Sequence, residues 1–166
     1  MELRSIEAIV RALNDVGVEY LIVGGLAVNA HGYVRLTQDI DLVIGLEREN
    51  IIRGLRALEA IDYHLNIPVT PEQFADPAQR AEWHAEKGML VLKLWSDSHR
   101  RTPIDVFIFE PFDFSVEYAR AVWQPVLGDI SGPVLAYESL LVMKAEAGRP
   151  KDLLDIEQLR KLDPHR

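Results

Sequence analysis

The chain has no cysteine. That excludes disulfides and thiolate metal sites, and it suits a reducing cytoplasm, the expected location. Long apolar runs are missing too: none approaches the ~18 residues of a membrane span, so no membrane partner is expected. Positive charge is scarce, with 18 Lys and Arg against 26 Asp and Glu and a net charge of −8. An acidic chain gains little general attraction to a polyanion, which argues against an extended nucleic-acid surface and leaves local phosphate contacts. The bases are relatively gathered late: residues 1–143 carry 12 basic and 21 acidic side chains, residues 144–166 carry 6 and 5. The opening stretch, MELRSIEAIVRAL, mixes charges into its apolar positions, unlike a secretory signal.

What remains is an ordinary globular composition, 166 residues with 48% hydrophobic side chains, enough for one domain with a real core. Leu3, Ile6, Ile9, Val10, Leu13 and Val16 recur at spacings of three and four, which predicts an amphipathic helix closing at Gly17. A strand over 20–23, a short helix over 26–31 and a strand over 39–45 follow, then a helix over 47–61 with acids in its first turn. Residues 62–88, punctuated by Pro68, Pro71 and Pro77, read as a loop and a broken helix, either a lid or a solvated excursion. His64, Trp83 and His84 there read as surface or half-buried packing. Met89–Trp95 and Ile104–Phe109 read as an antiparallel hairpin with a polar connection. Residues 111–135, broken by Pro111, Pro125, Gly128 and Pro133, read as short pieces packing the sheet edge. Two helices follow, one from Tyr137 to Gly148 and one from Pro150.

Chemistry concentrates in YLIVGGLAVNAHGYVRLTQDIDLVI, Tyr20 to Ile44. Gly24 and Gly25 end an apolar strand and open a helix, where backbone N–H groups favour an anion such as phosphate. Asp39 and Asp41, at i and i+2, share one strand face while Ile40, Leu42 and Ile44 fill the other. Paired carboxylates raise each other's pKa unless a cation lies between them. Hard oxygen ligands without Cys or a His cluster favour Mg2+ or Mn2+ over zinc. Asp105 is a third carboxylate inside an apolar strand, on a face with Phe107 and Phe109. Lys93, the one charge in the companion strand, is either an exposed strand position or a cation that meets phosphate or an acid. Lys144 shares a helix face with Leu140 and Leu141, so its ammonium either extends to water or meets an anion.

Gly24-Gly25 followed by Arg35, Thr37, Asp39 and Asp41 resembles the first motif of the DNA polymerase β-like nucleotidyltransferase superfamily, and within it the small bacterial group of AbiEii-type and MenT-type toxins. The segment LLVMKAEAGRPKDLLDIEQL resembles the C-terminal part of that group, with Lys144, Lys151, Asp152 and Asp155 at its recurring Lys and Asp places. The resemblance implies an α/β (α+β) fold: a mixed, mostly antiparallel nucleotidyltransferase sheet with helices packed on one face. It implies one domain over 1–166, with 137–166 its helical C-terminal part. It also implies transfer of a nucleoside monophosphate from a nucleoside triphosphate to a hydroxyl. Asp39, Asp41 and Asp105 would hold Mg2+ or Mn2+, and Gly24, Gly25, Arg35, Thr37, Lys144 and Asp152 would hold the nucleotide. The acceptor would be a tRNA end, a protein or a small molecule, with a cognate partner protein in a toxin-antitoxin pair. One departure stands out: Gly25 replaces the superfamily's Ser and removes a hydroxyl from the phosphate seat. A catalytically silent nucleotide- or partner-binding module and a phosphohydrolase using water as acceptor are the other readings.

Overall fold

The run Tyr20–Val23 (β1) is buried at all four positions, which a strand achieves only in the middle of a sheet with both faces covered. The computed structural model describes residues 1–127 and 130–162 and builds everything around that strand. Before it lies α1 (Leu3–Asp15). After it come α2 (Gly24–Ala30), β2 (Ile40–Ile44), α3 (Arg48–Ala60), β3 (His64–Leu65), α4 (Pro71–Ala75), α5 (Pro77–Lys87), β4 (Val91–Trp95) and β5 (Ile104–Phe107). The last elements are α6 (Phe114–Ala119), β6 (Val122–Leu127), β7 (Ile130–Val134), α7 (Tyr137–Ala147) and α8 (Pro150–Leu162). Gly128 and residues 163–166, the end of the expected helical part, lie outside the described residues.

The strands form one sheet in the order β3-β4-β5-β2-β1-β7-β6. Four neighbouring pairs are antiparallel and two, β1 with β7 and β2 with β5, are parallel, so the sheet is mixed and mostly antiparallel as expected. Tyr20 donates its hydroxyl to Asn14 of α1 at 2.9 Å, which marks the face it shares with Ile22, Ile40, Leu42 and Ile44. Ile6, Ile9, Val10 and Leu13 of α1 and Ile51, Leu55 and Leu58 of α3 bury that face. Gly54 lets α3 approach closely, since a Cβ there would stand 3.3 Å from Val18. The opposite face carries Val23, Asp41 and Asp105 and is covered in part by α7.

Residues 62–88 are more ordered than their prolines suggest. Thr70 and Gln73 form a capping box that starts α4, and the Asp76 side chain caps α5. Phe74 and Trp83 enter the core and stack on each other, so the segment belongs to the body of the domain. The 111–135 stretch supplies the edge strand β6, as expected, and also β7, which sits inside the sheet against β1.

Asn50 joins three elements. Its side chain accepts from the Glu19 N–H at 2.8 Å and donates to the carbonyls of Glu19 and Gly45, each at 2.9 Å, tying α3 to the outer ends of β1 and β2. Asn50→Ala removes the partner of the buried Gly45 carbonyl and of the part-buried Glu19 N–H, while the Glu19 carbonyl keeps the Gly45 N–H at 3.0 Å. We expect a loss of about 2–4 kcal/mol in urea unfolding, with the cleft on the other face unaltered.

Candidate active site

Register across the sheet decides which side chains meet. Asp41 lies opposite Val23 on β1 and level with Asp105 on β5, and Asp105 lies opposite Lys93 on β4. Laterally adjacent residues project to the same face, so Val23, Asp41, Asp105 and Lys93 form one row across the sheet. Asp39 stands one residue before β2. Burial, then the charges of Asp39 and Asp105, push the Asp41 carboxyl up to about 6, against the Gly25 N–H and the Lys144 ammonium, which pull it down.

The two glycines have different reasons. Gly24 has φ +62°, and a Cβ there would fall on the Asp41 carboxylate. Gly25 has no conformational need; a Cβ there would come within 2.5 Å of the Thr37 hydroxyl and 3.3 Å of the Arg35 guanidinium. The hydroxyl that a serine at 25 would bring is thus replaced in space by that of Thr37. The Gly25 N–H, expected to face phosphate, is turned on Asp41. Asn29 clamps the loop that carries Arg35 and Thr37, exchanging two 3.0 Å hydrogen bonds with the Arg35 backbone.

Lys144 meets anions, and they are carboxylates of its own chain. Its side chain is 5% exposed and its ammonium lies 3.0 Å from Asp152 and 2.8 Å from Asp155, both buried carboxylates of α8. Arg35 grips Asp155 in a fork at 2.6 and 2.7 Å, and Arg149 grips Asp152 at 2.5 Å. The five alternate as Arg35, Asp155, Lys144, Asp152, Arg149. Burial alone would raise the two aspartates, but hydrogen bonds from Arg149 and Lys144 to Asp152, and from Arg35 and Lys144 to Asp155, hold both below the usual carboxylate range. Arg35 and Asp152, expected to bind nucleotide, are committed to this network.

The row and the network face each other across a cleft of about 530 Å³, with Gly24, Asp41 and Asp105 on one side and Lys144, Arg149 and Asp152 on the other. Phe107, Phe109, Leu90 and Pro111 line its apolar end, and none of residues 62–88 contributes. A hollow of about 580 Å³ along α8, beside Leu153 and Ile156, includes none of the row's acids. Arg149 is the residue that sequence reasoning missed. Its side chain is 60% exposed, it lines the cleft, and it feels Asp41 and Asp39. Its place in GRPKD next to a helix-opening proline was the available signal.

The donor set fits a divalent cation at Asp39 and Asp41. Among the described residues no ion pair joins either to a basic side chain, and Asp41 is held partly dry with like charges beside it. Asp105 stands differently: both its oxygens accept from the Lys93 ammonium, at 2.8 and 2.7 Å. Accordingly, among the described residues, no three acids or imidazoles converge as a ready metal cage.

No family model matches the sequence, and no curated protein matches it. Similarity emerges in three dimensions. The chain superposes on the lincosamide antibiotic adenylyltransferase LnuA, solved with lincomycin bound, with a TM-score of 0.59 over 96% of this chain and 97% of that one. At 15% identity the likeness is one of fold, and the fold is that of a nucleotidyltransferase.

Two outcomes follow for stability. Asp41 has a higher pKa folded than unfolded, so its contribution is fully present below about pH 3.8 and is lost as pH rises to about 6. Asp41→Asn escapes that loss. In urea unfolding without metal the variant should exceed wild type by up to about 3 kcal/mol near neutral pH, with the gap closing toward about pH 4. Lys144→Ala removes the shared cation from two buried carboxylates and should cost about 3–5 kcal/mol, where a solvated lysine would cost almost nothing.

Proposed function

We propose that this chain is a metal-dependent nucleotidyltransferase that moves a nucleoside monophosphate from a triphosphate to a hydroxyl acceptor. The observation that carries the reading is Asp41, in no ion pair among the described residues and level with Asp105, with Asp39 two residues before it, on a cleft that the exposed Arg149 lines from the far side. Asp39 and Asp41 would hold Mg2+ or Mn2+; such an ion supplies charge for the triphosphate and polarises the α-phosphate. Gly24 keeps the turn open beside Asp41. Thr37 offers its hydroxyl to a phosphate oxygen at the place vacated by Gly25. Arg149, free on one side, meets the outgoing phosphates, while Lys144, Asp152, Arg35 and Asp155 hold it and the loop in position.

In the transfer, the acceptor oxygen bonds to the α-phosphorus and gives its proton to Asp105. The bond from that phosphorus to the β-phosphate's bridging oxygen breaks, and pyrophosphate leaves with the electron pair. Lys93 must first release Asp105, and its 55% exposed side chain has room to swing outward. The acceptor belongs to one of three classes: an RNA or tRNA end, a protein side chain, or a small molecule. The fold likeness to an enzyme whose name specifies an antibiotic substrate supports the third. A toxin-antitoxin role in the cytoplasm with a cognate partner protein rests on the sequence resemblance.

One observation favours a second reading, the catalytically silent binding module: Lys93 already neutralises Asp105. Incubating the protein with each α-labelled triphosphate, Mg2+ and a cell extract, then separating RNA, protein and small molecules, distinguishes the two. Transfer predicts label in one fraction, reduced about a hundredfold or more by Asp41→Asn and by Asp105→Asn. Triphosphate binding by calorimetry with label in no fraction would establish the silent module instead.

A further inference from the structure

Asp105 is the acid of the row that already holds a cation. Its side chain is 10% exposed, and both its oxygens accept from the Lys93 ammonium, at 2.8 and 2.7 Å. The lone pairs that a divalent ion would use are therefore filled by a charge of the chain itself. The β4–β5 register sets Lys93 in that place, and the Asn66 N–H, donating to the Lys93 carbonyl at 3.0 Å, ties the same stretch of backbone from the edge side. The side chain is held less firmly. It is 55% exposed, and among the described residues its ammonium bonds to Asp105 alone. Separation affects the two partners differently: the ammonium regains water on leaving, whereas the dry carboxylate would stay behind beside Asp41 without compensation. Asp105 can thus give up one cation only by taking another.

We propose that Lys93 is an exchangeable counter-ion, which yields Asp105 only to a divalent cation arriving at Asp39 and Asp41, its ammonium swinging out to solvent as the ion enters. An ammonium that contacts both oxygens and a divalent ion on the same carboxylate exclude each other, by volume and by like charge. Asp41 is the acid placed to share an incoming ion with Asp105, one strand spacing of about 4.8 Å away. Asp105 keeps one cation in either state, so the exchange never strands a buried charge. Lys93 thereby sets the affinity of the cation site and the order of events: the ion is loaded before Asp105 is free to meet an acceptor. The proposal rests on the divalent-cation part of the function above and does not require transfer.

The test uses nucleotide-free protein and Mn2+, with binding followed by the electron paramagnetic resonance signal of the free ion. Lys93→Met keeps the length of the side chain without its charge and should bind Mn2+ about tenfold or more tightly than wild type, as when a mutation removes the competition for a binding-competent minor state. In an Asp105→Asn background the same change should alter the affinity by less than about twofold, because the contested carboxylate is gone. The second measurement needs no variant and serves if melting curves show that Lys93→Met does not fold. Acetic anhydride labels the lysines of wild type, and saturating Mn2+ should raise the rate at Lys93 at least about threefold relative to the exposed Lys87, since it frees the paired ammonium. Equal Mn2+ affinity in wild type and a folded Lys93→Met, or labelling of Lys93 that Mn2+ leaves unchanged, would overturn the proposal. Tighter binding by Lys93→Met with no label transferred in extract would leave the exchange standing and sink the transfer reading. Label transferred by a protein whose Mn2+ affinity ignores Lys93 would do the reverse.

Discussion

A buried ammonium cannot stand alone, and Lys144 meets that constraint with two carboxylates from the next helix. Neither Asp152 nor Asp155 could be dry without it, and each needs a second cation to complete it, Arg149 for one and Arg35 for the other. Removing any inner member leaves a charge unpaired in a poorly hydrated place. The turn at Gly148, with φ +60°, lets α8 fold back so that its acids reach Lys144. The Arg35 fork then binds the loop after α2 to the end of the chain, 120 residues away in sequence. Loop, α7 and α8 therefore assemble together, and the far wall of the cleft exists only as a result of that assembly.

Opposite that wall the sheet spends charge in a different way. Asp41 and Asp105 are lateral neighbours of the same sign, a pairing that destabilises a sheet, and Lys93 on the next strand relieves one of the two. The unrelieved one is Asp41, whose carboxyl is pushed up first by burial and then by the charges of Asp39 and Asp105. Strain of this kind is tolerated where another component completes the site. It gives the cleft a polarity: a compensated acid at the apolar end, an uncompensated pair beside the glycine turn.

Much of this was legible in the residues. Periodicity located α1, α3 and the apolar strands, because burial of one helix face or of a whole strand imposes its own spacing. Alternation set Asp39 with Asp41 on one face and Asp105 with Phe107 and Phe109 on one face of another strand, but only the β2–β5 register brings Asp41 level with Asp105. What stayed hidden depended on partners distant in sequence. Helical spacing set Lys144 beside core residues but did not say that α8 would return two acids to it. Alternation left Lys93 equally able to be exposed or paired, since only the β4–β5 register brings it opposite Asp105. The prolines of 62–88 read as interruptions, yet they open helices, and the aromatic residues Phe74 and Trp83 decide the outcome by burial.

The bare position at Gly25 has a consequence beyond one missing hydroxyl. Position 25 and Thr37 compete for a single volume, so the two side chains are exchangeable only as a unit. On this backbone a serine at 25 would require a smaller residue at 37, and the threonine at 37 requires the glycine at 25. A change at either position alone would crowd that volume or leave it without a hydroxyl.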